Sequence, residues 1–226
     1  MPANKMKNKR LYLIDGYAML YRSHFALIRN PLINSKGMHT SALFGFINQI
    51  MKLITKDKPD LMVAAFDSSK KTFRHEKYPE YKATREKMPE EMVAQLPYLW
   101  KILESMGIPT LEQPGFEADD IIGTLATMAS KEELDVYIVS GDKDFMQLVN
   151  DKIFLYAPSG RQAEIKIYDR NGVVDKWGVP PEKIIDLLGL MGDSSDNVPG
   201  VPGVGEKTAV KLINEYGSLE ASLDHA

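Results

Sequence analysis

At 226 residues, with 44% hydrophobic and 26% charged residues, the chain has room for one sizeable α/β core, or a core plus a small appendage. It holds no cysteine, which excludes disulfides, thiolate metal sites and a cysteine nucleophile. No apolar run approaches the roughly 20 residues of a membrane-spanning helix, and the basic N-terminus passes into a strand pattern without a signal peptide's apolar region, so a cytoplasmic protein is expected.

The first element is an apolar run from Arg10 to Ile14, of the kind buried on both faces, and it ends at Asp15-Gly16. Tyr17 to Phe25 reads as a helix. Pro31, Asn34 and Gly37 form a loop leading to Thr40, a suitable N-cap for a helix from Ser41 to Lys56. Its apolar residues Leu43, Phe46, Ile47, Ile50, Leu53 and Ile54 keep helical spacing and are assigned to the core. After Pro59, a second buried strand from Leu61 to Phe66 ends at Asp67, repeating the strand-then-aspartate pattern.

Between Lys70 and Lys87 seven basic residues stand against three acids, on a chain whose net charge is −3. Phe73, Tyr78 and Tyr81 are interleaved with them, a composition suited to contacting phosphates and stacking bases, or to a solvated charged segment. Pro89 is placed as the first helical residue, with Glu90 and Glu91 in the first turn, and the helix is expected to run to Met106 with a kink at Pro97. A short strand follows over Ile108 to Glu112.

Pro114 to Phe145 is the most acidic focus. Glu117, Asp119 and Asp120 open an apolar helix, and Asp142 and Asp144 follow the strand Val136 to Val139. Acids in a first helical turn also complement the macrodipole. Five carboxylates at a helix start and a strand end nevertheless repel one another unless cations lie among them, and an all-oxygen donor set suits Mg2+ or Mn2+. Ile153 to Tyr156 and Ile165 to Tyr168 read as strands joined by Pro158-Ser-Gly160, with short helices over Asn171 to Trp177 and Pro181 to Met191. The alternation implies a largely parallel sheet covered on both faces. Asp193 and Asp196 then sit on a polar turn, before Gly200-Val-Pro-Gly203-Val-Gly205 and an apolar helix carrying Lys207. Such a loop allows close backbone approach and offers helix-start amides to a phosphate.

The stretches Leu13-Ile-Asp15-Gly, Phe66-Asp67, Tyr81-Lys82-Ala-Thr-Arg85, Gly115-Phe-Glu117-Ala-Asp119-Asp120, Ser140-Gly-Asp142-Lys-Asp144, Gly192-Asp193-Ser-Ser-Asp196-Asn197 and the glycine loop, in this order, resemble the 5′-nuclease (flap endonuclease) family. The similarity is greatest to the 5′–3′ exonuclease domains at the N-terminus of bacterial DNA polymerases of type I, and it covers Lys9 to Tyr216. The resemblance implies a PIN-like α/β fold with a mostly parallel central sheet, a helical arch over about residues 70–90 and a helix-hairpin-helix. The catalytic core would cover 1–176, and 177–226 would be a helix-hairpin-helix DNA-binding region, C-terminally truncated relative to the family, whose domain continues into further helices.

It further implies a first metal site at Asp15, Asp67, Glu117 and Asp119 with Asp120 alongside, and a second at Asp142, Asp144, Asp193 and Asp196. Two or more Mg2+ ions, replaceable by Mn2+, would act there. Lys82 and Arg85 would face the scissile phosphate, Arg74 and Tyr81 would grip the strand, and Tyr21 and Arg22 would line the site. Gly200, Gly203, Gly205 and Lys207 would hold duplex DNA, with a K+ ion at the hairpin. The implied partners are branched or flapped DNA with a 5′ single strand, an RNA–DNA primer and a linked polymerase domain, for a monomer in the bacterial cytoplasm at the nucleoid. A non-catalytic DNA clamp and a phosphatase of small molecules are the alternatives; nine acids disfavour the first, and the basic segment and hairpin disfavour the second.

Overall fold

The computed structural model describes residues 8–132, 134–159 and 164–225. Six strands form the central sheet: β1 (Arg10–Asp15), β2 (Leu61–Ala65), β3 (Thr110–Leu111), β4 (Asp135–Val139), β5 (Ile153–Ser159) and β6 (Glu164–Tyr168). Their order is β3-β2-β1-β4-β5-β6, and every pairing is parallel except the β5–β6 hairpin. The hairpin turn, including the expected Gly160, lies outside the described residues.

Alternation along the strands splits the core into two layers. Leu11 and Leu13 of β1, Val136 and Ile138 of β4, and Ile153 and Leu155 of β5 face one side. They pack there against α6 (Ala118–Lys131), α8 (Ile184–Met191) and α9 (Glu206–Tyr216) through residues such as Ile122, Leu187 and Ile213. Tyr12, Ile14 and Tyr156 face the other side, against α1 (Gly16–Ala26), α2 (Ser41–Lys52) and α5 (Leu96–Ser105) through Leu20, Phe46 and Leu99. Burial on both faces is what lets parallel strands read as near-continuous apolar runs.

Several boundaries depart from the sequence expectation, each for a local reason. Thr40 occupies the N-cap of α2, but its hydroxyl donates to the Leu32 carbonyl and makes no cap bond. The α-helix stops at Lys52, and a π-helical turn, Leu53–Asp57, carries the chain to Lys58 at φ 51°. Pro89 is the N-cap, not the first residue, of a four-residue helix α4 (Glu90–Val93). The expected kink at Pro97 is a break between α4 and α5: proline has no N–H to give the carbonyl four residues back. Gln95 fills the gap, donating its side-chain amide to the Glu91 carbonyl and accepting from the Leu43 amide. The strand expected over Ile108 to Glu112 pairs only at Thr110–Leu111, and Pro181–Lys183 is 3-10 rather than α.

The segment expected as an arch folds as one short helix, α3 (Phe73–Lys77), followed by turns to Arg85. In the C-terminal part, α7 (Arg170–Trp177) leads to α8, whose chain continues into a two-residue hairpin of β7 (Gly192–Asp193) and β8 (Val198–Pro199), then α9 and α10 (Leu219–Asp224). The order of strands reverses between β1 and β4, and a crevice opens where their C-terminal ends diverge.

Candidate metal centre and nucleic-acid interface

Five segments of the chain deliver the acids to that crevice: the ends of β1 and β2, the start of α6, the 3-10 turn after β4, and the β7–β8 hairpin. Asp15 ends β1 and caps α1, accepting from the Ala18 amide at 3.1 Å and from the Ser140 hydroxyl at 2.8 Å. Asp67 follows β2 and accepts from the Ala118 amide at 2.7 Å, which ties the second strand to the start of α6. Glu117 is the N-cap of α6, and the Asp120 carboxylate closes a capping box on its backbone N–H at 3.0 Å. Asp142 caps the 3-10 turn Lys143–Leu148 by accepting from the Asp144 amide at 2.9 Å. Asp193 and Asp196 arrive on the β7–β8 hairpin and its loop.

Electrostatics shows how closely the nine are linked. Burial pushes Asp15 up to about 6, with Asp67 and Asp142 adding to the rise. Burial and the charges of Asp142, Asp193 and Asp196 bring Asp144 to about 6. Asp119 reaches about 7, mainly through burial and with Glu117 and Asp120 adding to it, although Arg74 pulls it back. Against the cost of burial, the hydrogen bonds of Ser195 and Lys143 hold Asp193 at about 2.

The basic segment lies directly on these acids. Arg74 grips Asp120 with both guanidinium nitrogens at 2.7 and 2.8 Å and reaches Glu117 at 3.6 Å. Lys82 stands 2.8 Å from Glu117 and Arg85 2.6 Å from Asp196. Tyr81, 7% exposed, donates toward Glu117 and Asp196, both at 2.9 Å. Its backbone neighbours are fastened too: the Lys82 amide donates to the Asp196 carbonyl, the Asn197 side chain to the Glu80 carbonyl, and the Tyr78 hydroxyl to the Asn197 carbonyl. Lys82 holds φ 55°, a strained conformation fixed by these contacts on both sides.

As placed, no three of the carboxylates among the described residues converge as a ready metal cluster. The donor set nonetheless fits hard divalent ions. It is all oxygen, and Asp119 Oδ1 and Asp144 Oδ1 are buried without a hydrogen-bond partner. Asp119, Asp120, Asp142, Asp144, Asp193 and Asp196 line one cavity of about 790 Å³ together with Arg74 and Tyr81.

Tyr21 lies on α1 with its ring stacked on Phe25, and the charge of Arg85 reaches it. Arg22 lines a cavity of about 560 Å³ that also borders Ser140 and Gly141 and is separate from the one lined by the acids. The glycines of the hairpin are not equivalent. Gly200 lies against the backbone of Met191 and Gly192, where a Cβ would meet atoms at 2.2 Å, whereas Gly203 at φ +81° and Gly205 face open space. Lys207 is exposed in the first turn of α9. Sequence reasoning passed over Ser140, Lys143 and Asn197. Ser140 and Lys143 flank Asp142 within the same motif, and Asn197 follows Asp196 directly.

Comparison with known proteins agrees with this architecture. Residues 10–178 match the 5′-3′ exonuclease N-terminal resolvase-like domain, and residues 179–226 match the 5′-3′ exonuclease C-terminal SAM fold. The chain is 46% identical over 219 residues to DNA polymerase I of Bacillus subtilis, covering 96% of this chain and 24% of that protein. It is 43% identical over 212 residues to a 5′-3′ exonuclease of Aquifex aeolicus, covering 94% of this chain and 71% of that one. The chain thus spans about a quarter of the polymerases it matches. Among solved structures, T5 5′-exonuclease with bound zinc superposes with a TM-score of 0.77 at 24% identity, over 96% of this chain and 79% of that one. The flap endonuclease-1 of Methanococcus jannaschii superposes at 0.60 and 22% identity, over 97% and 73%. With both parts of the chain matched and a 5′-3′ exonuclease 43% identical over most of its length, this protein belongs to the 5′-3′ exonuclease family of nucleases.

Proposed function

We propose that the chain is the nuclease portion of a DNA polymerase I and hydrolyses phosphodiesters in branched DNA, cutting a 5′ single strand near its junction with duplex, RNA primers included. The observation that carries this reading is a cavity lined by six of the acids together with Arg74 and Tyr81, with Lys82 and Arg85 of the same basic segment paired to Glu117 and Asp196, an arrangement a small phosphoester would not require. The two carboxylate groups, Asp15, Asp67, Glu117 and Asp119, then Asp142, Asp144, Asp193 and Asp196, would hold the ions, and Mg2+ is the expected one, with Mn2+ able to replace it. Bound divalent ions in such a site supply an activated water and charge neutralisation at the leaving oxygen.

The chain's own residues do the rest. Lys82 and Arg85, on release from Glu117 and Asp196, present positive charge to the scissile phosphate and lower the electrostatic barrier to attack. Arg74, with Phe73 under its guanidinium at 4.7 Å, offers a phosphate contact beside an aromatic face. Tyr81 spans both acid groups. Asp120, held by the Arg74 fork, supports the first site from the side. Tyr21 and Arg22 would line the approach along α1. At the hairpin, Gly203, Gly205 and Lys207 are open to a duplex phosphate and a K+ ion, while Gly200 supports the turn from beneath. None of the helices among the described residues is long and apolar enough to cross a membrane; a monomer acting at the bacterial nucleoid is the proposed setting.

The test is cleavage of a labelled 5′-flap duplex by the wild-type chain and by Asp142→Ala, each with Mg2+ and with chelator. Cutting near the junction only by wild type with Mg2+ supports the proposal. Tight binding of the same DNA without any cutting would replace it with the clamp reading.

A further inference from the structure

The sheet register brings one unassigned side chain between the two carboxylate groups. Ile14 of β1 pairs with Val139 of β4, so the next residues, Asp15 and Ser140, emerge side by side at the switch point. Ser140 is 4% exposed. Its hydroxyl proton goes to Asp15 Oδ2 at 2.8 Å, and its oxygen accepts the Asp142 amide at 3.1 Å. The Asp142 carboxylate in turn accepts from the Asp144 amide at 2.9 Å. A continuous hydrogen-bonded path therefore runs from the first group of acids to the second, and Ser140 is its central member.

We infer that Ser140 is a positioning residue that fixes the spacing and orientation of the two ion sites relative to each other. The inference rests on the metal-dependent reading of the cleft given above. Asp15 is held at both oxygens, by the Ala18 amide on one and by Ser140 on the other, so each oxygen keeps a lone pair in a set direction for a cation. Removing the hydroxyl frees Asp15 Oδ2 to rotate and leaves the Asp142 N–H without its acceptor, which loosens the loop carrying Asp142 and Asp144. Partners behind a ligand set its orientation, and their loss typically weakens metal binding about 10- to 100-fold. The hydroxyl, not the volume of the side chain, is the active feature. A threonine keeps it, and the cavity of about 560 Å³ that Ser140 borders leaves space for the added methyl.

The experiment is equilibrium binding of Mn2+ to the DNA-free chain, read from the free-ion electron paramagnetic resonance signal, for wild type, Ser140→Ala and Ser140→Thr, with thermal unfolding in chelator alongside. The expected result is about 10-fold weaker binding by Ser140→Ala, near-wild-type binding by Ser140→Thr, and chelator midpoints that show both variants folded, lowered in Ser140→Ala by no more than the loss of its hydrogen bonds. Equal Mn2+ affinity of wild type and Ser140→Ala overturns the inference while leaving the nuclease reading intact. So does a threonine variant as weak as the alanine one, which would mark the site as sensitive to any change at Ser140 and not to its hydroxyl. A wild-type chain that binds no Mn2+ sinks both readings together.

Discussion

The three glycines of the hairpin give a prediction in which packing and ligand contact separate cleanly. A Cβ at Gly200 would stand 2.2 Å from both the carbonyl carbon and oxygen of Met191 and 2.6 Å from the Gly192 nitrogen. Those atoms are backbone at the junction of α8 and β7, so relief requires moving the chain by more than an ångström. The cost lies at the upper end of overpacking, about 3 kcal/mol. For a chain of this size that lowers the thermal midpoint by about 6–12 °C. Gly203, at φ +81° with no neighbour within 4 Å, pays only the left-handed penalty, about 1 kcal/mol for alanine. Gly205 has an extended φ of −95° and open space around it. There the weaker N-cap and the stiffer unfolded chain roughly cancel, for a net change of about 0.5 kcal/mol or less. The assay is calorimetry of the three alanine variants beside binding to a blunt duplex. Gly200→Ala should lose stability, whereas Gly205→Ala should keep stability and lose duplex affinity. A wild-type midpoint for Gly200→Ala would refute the packing argument, and wild-type duplex affinity for Gly205→Ala would refute the hairpin as the phosphate contact.

Arg74→Ala should destabilise the DNA-free protein by about 2 kcal/mol, a buried-pair loss discounted for the partial exposure of the guanidinium. Saturating Mg2+ should restore most of the midpoint; no difference between Arg74→Ala and wild type in chelator would show that the fork contributes nothing. Mg2+ should also loosen the arch, because ions and arch cations compete for the same oxygens: amide exchange at Lys82 and Arg85, whose N–H groups bond Asp196 and Lys82 carbonyls, should speed up, and slower exchange would contradict the competition. In chelator, stability should rise as pH falls from about 7 toward 4. Asp15 and Asp144 near 6 and Asp119 near 7 bind protons in the folded state that the unfolded chain releases across that window, so this stabilisation is complete below the unfolded value and lost as pH rises. A flat midpoint between those limits would show that the acids are not strained together.

The parts legible in the sequence are those written in local order. Leu11 to Ile14 and Leu61 to Phe66 are apolar on every residue because both sheet faces are covered, and each hands the chain to an aspartate at the end where ligands collect. Pro97 announced a disturbed helix. Where the break falls was not legible, because Gln95 decides it by bonding Leu43 on a helix 52 residues earlier. Ser140 could have been found from the same apolar runs, once the β1–β4 register was drawn and Asp15 was seen to need a neighbour.

The arch could not be read in this way. Its composition suits a phosphate-contacting segment or a solvated one, and it is the family resemblance that gives Arg74 and Tyr81 the gripping of a strand. In the folded chain, Arg74 crosses 46 residues to Asp120, and Tyr81 crosses 115 to Asp196. The acids that repel one another are thus partly neutralised by the protein's own cations, which explains how a cleft so densely acidic folds at all. The same pairing sets a condition on function. Lys82 and Arg85 can meet a phosphate only after leaving Glu117 and Asp196, and the carboxylates they leave need another cation in their place. Divalent ions in the acids and a nucleic-acid phosphate on the arch satisfy both halves of that exchange together. On the proposed function, metal loading and strand engagement would therefore be two sides of a single rearrangement of charge.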